Sequence, residues 1–201
     1  MTPHSQFAKT APSGSDADTA LMARVRDGDA VAFRAIVDRH HQMIYRVAWR
    51  MLGDGHEAED VVQESFTRLW RDAPRWKPSG AGLAAWLRRV GVNLCYDRLR
   101  KTKNIAPIEP PERAGNDKPA DDAMVGDEIG ATVDGCLAEL PERQRAALIL
   151  SYYEELSNIE SAEILDINVK ALESLLVRAR RKMHELLERE GVLAADVEQL
   201  A

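Results

Sequence analysis

Residues 156–187, LSNIESAEILDINVKALESLLVRARRKMHELL, decide how the chain is read. Ser157 and Glu160 stand at the S-x-x-E spacing of a capping box, so a helix is expected to start there. Leu165, Asp166 and Ile167 make the turn, and Asp is one of few residues besides glycine that tolerate left-handed backbone geometry. Asn168 is a suitable N-cap for a second helix. Leu172, Leu175, Leu176, Ala179 and Met183 recur at helical spacing and give that helix one apolar face. Ala162 is small, as a close helix crossing requires. The opposite face carries Lys170, Glu173, Ser174, Arg178 and Arg181. Two helices joined in this way form a helix-turn-helix, a unit that can set its second helix in the DNA major groove. A plain helical hairpin with a solvated charged face is the alternative this stretch alone leaves open.

The surroundings favour DNA. The 201 residues are 45% hydrophobic but poor in aromatics, and Ala, Leu, Arg and Glu recur at helical spacing, which predicts an all-α protein. The net charge of −6 argues against DNA binding only if charge is evenly spread, and it is segmented. Residues 86–103 hold six Lys/Arg against Asp97, and residues 168–182 hold five against Glu173. Residues 53–64 carry Asp54, Glu57, Glu59, Asp60 and Glu64 with no cation. No apolar run is long enough to cross a bilayer, and the polar start lacks a signal-peptide core, so membrane insertion is not expected. Cys95 and Cys136 sit in apolar helical patterns and are read as buried free thiols rather than redox sensors.

The pattern predicts two small helical domains on a flexible tether. Residues 1–18 are expected to form a disordered tail. Helices are expected near 19–26, 30–52, 57–72 and 83–103, making a first domain over 19–103. Gly53-Asp54-Gly55 separates the second and third, and a loop containing Trp76 precedes the fourth. Residues 104–124, with Pro107, Pro110, Pro111 and Pro119 and an acidic lean, read as a linker. A second domain over 125–190 holds a helix near 127–139, another opened by Pro141 and running to Tyr153, and the helix-turn-helix. Residues 191–201 are a C-terminal tail.

Three phrases in order then point to a family. Ala58-Glu59-Asp60-Val61-Val62-Gln63-Glu64-Ser65-Phe66, followed by Leu69-Trp70, resembles a hallmark of bacterial sigma factors. So does the run from Trp86 through Asn93 to Lys101. Leu140-Pro141-Glu142-Arg143-Gln144-Arg145 resembles the start of the sigma promoter-binding domain. Order and spacing resemble the small extracytoplasmic-function group, which keeps only regions two and four: here a region 2 bundle and a region 4 helix-turn-helix. The resemblance implies that Asp60, Gln63 and Glu64 dock on the clamp helices of the polymerase largest subunit. Without it, a solvated acidic helix face is the default. It implies that Trp76, Lys77 and Ser79 on the loop, with Asn93, Asp97, Arg98, Arg100 and Lys101 on the following helix, handle the minus-ten element. Opening a duplex needs a basic groove for the backbone and pockets for flipped bases. Trp86 reads as core; Trp76 is open between core and stacking.

For the minus-thirty-five element the resemblance implies that Glu173, Ser174, Val177 and Arg178 occupy reading positions, with Lys170 and Arg181 for phosphates. The free amides from Asn168 to Lys170 are a further phosphate seat. The acidic linker would thread a polymerase channel in place of nucleic acid, or serve as a plain tether. Implied partners are core RNA polymerase, including its flap, promoter DNA and an anti-sigma factor, in the bacterial cytoplasm and on the nucleoid. Glu173, Leu175 and Asp166 depart from the residues usual in the family, which leaves the promoter sequence undetermined. No Gly-rich phosphate loop, HExxH or paired-cysteine motif appears, so no enzyme activity, cofactor or metal is expected. His40, His41, His56, Asp38 and Glu59 do not have ligand spacing. The rival reading is a helix-turn-helix regulator acting without core polymerase.

Overall fold

The computed structural model describes residues 14–77, 82–104 and 127–192, and every regular element among them is helical. Helix α1 spans Gly14–Arg26, α2 Ala30–Leu52, α3 Gly55–Asp72 and α4 Gly82–Asn104; a 3-10 turn at Ala73–Arg75 follows α3. Helices α5 (Asp127–Glu139), α6 (Glu142–Leu148), α7 (Asn158–Leu165) and α8 (Val169–Arg189) make the second half. Nearly all of the expected linker, residues 105–124, and most of both tails lie outside the described residues.

The first half is organised by α2, whose limits follow from its ends. The Asp29 carboxylate accepts the Val31 and Ala32 amides, occupying donors that the first turn leaves without partners. At the other end Gly53 takes φ 72°, a left-handed cap that suits glycine. Asp54 then caps α3 by accepting from the Glu57 amide. Ile36, Ile44, Val47, Ala48 and Met51 from α2 meet Ala58, Val61, Val62, Phe66 and Leu69 from α3 and Leu83, Leu87, Val92, Leu94 and Cys95 from α4. Trp76 and Trp86 both pack partly buried against this core, so each is chiefly a packing residue here.

Helix α1 starts five residues inside the expected tail, which corrects that boundary. Asp18 is the reason: it is 5% exposed, and its carboxylate meets Arg39 Nη1 at 2.6 Å and His40 Nε2 at 2.9 Å. That link pins α1 to α2, and residues around Asp18 have an ordered partner that helical periodicity alone does not reveal.

In the second half, Cys136, Leu137, Leu140 and Leu148 pack on Ala179, Met183 and Leu186, while Ala147, Ala162, Leu172 and Leu176 fill the helix-turn-helix. The capping box at Ser157 and Glu160 is formed, Asp166 caps α7 at φ 56°, ψ 47°, and Asn168 caps α8 by accepting from Ala171 at 2.8 Å. One element differs from expectation. After Leu148 the helix widens into a π-helical turn, Ile149–Tyr153, instead of continuing as α-helix to Tyr153.

The two halves pack directly on one another. Ala146 and Ile149 belong to the core built by α2, α3 and α4, with Tyr153 and Leu165 packed against it. The Arg50 guanidinium lies 4.2 Å over the Tyr153 ring. Arg145, 6% exposed, donates Nη1 to the Met51 carbonyl at the end of α2 and Nη2 to the Ala138 and Leu140 carbonyls. A cation at a helix C-terminus also suits the helix dipole.

Candidate nucleic-acid and partner surfaces

Asp60, Gln63 and Thr67 face solvent from one strip of α3, with Glu64 half-buried beside them. The strip is not uniformly free. Glu64 Oε1 accepts from Arg68 Nη2 at 2.6 Å, and its Oε2 lies 3.7 Å from Arg98 Nη2. Beside the strip runs a groove of about 730 Å³ between α2 and α3, lined by Ala30, Phe33, Val37 and His41 on one side and Glu59, Val62, Gln63, Phe66, Thr67 and Trp70 on the other. Phe33 holds its floor by edge contacts to Phe66 (6.3 Å) and Trp70 (4.9 Å), and Trp70 remains 41% exposed. A groove with apolar walls and a carboxylate rim suits an amphipathic helix that brings cations to its edge. Trp70 follows the apolar spacing of α3 yet ends on the groove rather than in the core, so helical period alone does not reveal the groove. His41 closes one end, with Nε2 3.4 Å from Glu59, and His40 is taken by Asp18.

On α4 the predicted residues separate. Asn93, Arg100 and Lys101 are exposed and Asp97 is half-buried, all along one helical face. Arg100 donates to Asp97. Arg98, expected to neutralise phosphate, points elsewhere: its side chain is 19% exposed, Nε donates to Glu57 at 2.7 Å, and it joins α4 to α3. Lys77 is exposed, and Ser79 lies outside the described residues. Asn93 and Arg100 form one wall of a cleft of about 450 Å³, with Tyr96, Glu142 and Arg143; Leu165, Asp166, Ile167 and Leu175 make the other wall. Burial pushes the Tyr96 phenol up to about 12, so it stays a neutral hydroxyl.

On α8 the predicted residues assemble as a single face. Asn168, Lys170, Glu173, Ser174, Val177, Arg178 and Arg181 are all exposed, opposite the buried Leu172, Leu176, Ala179 and Met183. Leu175, expected on the apolar face, is half-buried at its margin. Val177, 64% exposed between polar neighbours, is the kind of apolar side chain that meets a thymine methyl. The Ser174 hydroxyl donates to the Lys170 carbonyl and Arg178 Nε to the Ser174 carbonyl, so Arg178 keeps its terminal nitrogens for a base or phosphate. Arg181 lies 3.8 Å from Glu185, a loose exposed pair that a phosphate can displace.

Comparison with known proteins matches both halves. Residues 36–105 match the family model of Sigma-70 region 2, and residues 131–183 that of Sigma-70, region 4. The chain is 34% identical over 176 residues to the ECF RNA polymerase sigma factor SigW of Bacillus subtilis, covering 82% of this chain and 93% of that one. It is 30% identical over 181 residues to the ECF RNA polymerase sigma factor SigE of Mycolicibacterium smegmatis, covering 88% and 70%. Among solved structures, CnrH in complex with the cytosolic domain of CnrY superposes with a TM-score of 0.65 at 27% identity, over 87% of this chain and 99% of that chain.

Proposed function

Because the chain belongs to the extracytoplasmic-function RNA polymerase sigma factors and so acts as a promoter-specific initiation factor of core polymerase, we propose that three separate surfaces divide that work. The strip of Asp60, Gln63 and Glu64, with the groove beside it, docks on the clamp helices of the largest subunit. Trp70 and Phe33 anchor the apolar part of that contact, and the carboxylates fix register and speed encounter. The α4 face of Asn93, Arg100 and Lys101, with Lys77 and Ser79 ahead of it in sequence, handles the melted minus-ten strand: amide to base edge, cations to phosphates. The α8 face reads the minus-thirty-five element through Glu173, Ser174, Val177 and Arg178, with Lys170 and Arg181 on phosphates; region 4 also meets the polymerase flap. Bond formation belongs to the polymerase, and the chain acts by recruitment and strand opening in the cytoplasm, on the nucleoid.

The observation that carries this reading is the exposure of all seven predicted α8 residues on one face, opposite a continuous apolar seam. An anti-sigma partner is part of the proposal. CnrH was solved with a cytosolic CnrY domain, and RpoE of Bartonella quintana with the anti-sigma factor NepR.

Run-off transcription with core polymerase tests the division. Asp60 is the cleanest probe, since Glu64 also braces Arg68 and Arg98. Asp60→Arg should lower promoter-specific transcript at least tenfold at limiting sigma while leaving helicity intact. Full transcript from the folded variant would refute the docking assignment. A regulator acting without polymerase would have no use for this surface.

A further inference from the structure

Glu173 is the one carboxylate on the α8 face assigned above to DNA. Between positions 168 and 182 it stands against Lys170, Arg178, Arg180, Arg181 and Lys182, and its side chain is exposed. The helix itself gives no reason for it. It lies in the second turn after the Asn168 cap, past the first turn where the helix dipole favours an acid, and that first turn carries none. The residues four positions to either side are Val169 and Val177, which cannot pair with a carboxylate. Acids around it are occupied. Glu160 closes the capping box, Asp166 Oδ1 meets Arg89 Nη2 at 2.9 Å, and Glu185 lies 3.8 Å from Arg181 and 3.6 Å from Lys182. Among the described residues no hydrogen bond or ion pair holds the Glu173 side chain, although Lys170 precedes it by one turn.

We propose that Glu173 is a specificity-determining residue: it selects a cytosine in the minus-thirty-five element by accepting a hydrogen bond from the cytosine N4 amine. This assignment rests on the functional reading of α8 above and adds the base. A recognition helix meets base edges with its N-terminal residues, and Glu173 is among them. An ionised carboxylate only accepts. Phosphates repel it, and so do the major-groove acceptors of guanine (O6 and N7) and thymine (O4). Adenine offers its N6 amine, but the N7 acceptor beside it faces the second carboxylate oxygen. Cytosine presents a donor and no acceptor of its own. The cations around Glu173 make room for an acid in the groove. Lys170 and Arg181 neutralise phosphates, and Arg178, whose Nε is taken by the Ser174 carbonyl, keeps its terminal nitrogens for DNA. Selection then works chiefly by exclusion. With any other base the carboxylate loses water and meets no well-placed donor, which is the costly outcome.

The test uses holoenzyme, the full chain with core polymerase, and a duplex library randomised across both promoter elements; bound duplexes are sequenced. One position of the minus-thirty-five element should favour cytosine about tenfold over each other base. Glu173→Gln should move that position, and no other, to adenine, because glutamine pairs bidentately with adenine N6 and N7. Glu173→Ala, which keeps helix propensity, should leave the position unselected. A Glu173→Gln profile identical to wild type, or a changed position that was not cytosine in wild type, overturns the proposal. A second measurement replaces the selected cytosine by 2-pyrimidinone, which lacks the N4 amine. Wild-type holoenzyme should lose about tenfold in binding and the Glu173→Ala holoenzyme far less; an equal loss for both overturns the proposal. Arg178→Ala separates this from the functional reading. If wild type selects no minus-thirty-five element, the assignment of α8 fails and the role of Glu173 with it. If it selects one that weakens with Arg178→Ala but ignores both Glu173 variants, the assignment of α8 stands and the role of Glu173 alone is refuted.

Discussion

Replacing Arg145 by Met keeps most of the apolar stem and removes only the guanidinium. That group is buried among three backbone carbonyls, Met51, Ala138 and Leu140; no carboxylate among the described residues hydrogen-bonds to it, and Glu142 acts on it through its charge alone. Burial pushes its pKa below the ordinary arginine value, but arginine remains charged in proteins, so a full charge is held there by carbonyl dipoles. Two effects oppose each other. Each carbonyl left without a donor costs about 1–3 kcal/mol, near 1 where water can follow. Against this, the variant no longer has to desolvate a cation, a penalty of several kcal/mol in buried sites. Three orphaned carbonyls outweigh the relief, because the cation's burial is already offset by the bonds it makes; we expect a net loss of about 2–4 kcal/mol. With a urea slope of roughly 2–3 kcal/mol/M, the unfolding midpoint should fall by about 1 M at unchanged slope. Arg145→Lys should recover only part, since one ammonium cannot reach carbonyls on both sides of the junction. A Met variant within about 0.5 kcal/mol of wild type would refute the claim that this guanidinium closes the junction.

Two further outcomes follow from buried titratable groups. Burial lowers the His40 pKa from its ordinary 6.5, against the opposing pull of Asp18. The unfolded chain therefore binds more protons than the folded one between the lowered value and pH 6.5, so this residue makes stability rise with pH across that window and fall as acid is added through it. His40→Gln should flatten that part of the difference curve in denaturant melts taken from pH 5 to 8; an unchanged slope would sink the assignment. Burial also pushes the Cys95 thiol up to about 12, with Cys136 equally enclosed. An aromatic disulfide reagent should leave the native thiols untouched at pH 8 and titrate both in denaturant, and rapid reaction of the native chain would contradict the packing described.

Local signals were legible because they are written within four residues of one another. The limits of α2, the capping box at Ser157, the left-handed Asp166 and the cap at Asn168 follow from spacing and from which side chains tolerate which backbone. The α8 face was legible for the same reason, since a helix sorts its residues by period. What escaped was long-range. Arg145 reaches a carbonyl 94 positions away and Glu154 an arginine 66 positions away, and neither departs from the local pattern around it. Arg98 looked like any cation in a basic run, yet Glu57 on the neighbouring helix claims it. Asp18, in a stretch polar enough to read as tail, is ordered by a histidine and an arginine on α2. Periodicity tells which way a side chain faces, and only tertiary packing tells what it meets.

The shared core has a consequence for the lifetime of the protein. Ile149 and Ala146 are 0% and 1% exposed because α2 and its neighbours cover them, and Tyr153 and Leu165 lean on the same seam. Once the halves part, that seam is wetted, and each large aliphatic or aromatic group on it forfeits about 1.5–3 kcal/mol of burial. A molecule in that condition is sticky and open to proteolysis. It either finds a large partner quickly or is cleared, so the seam sets a short clock on any copy that opens without one.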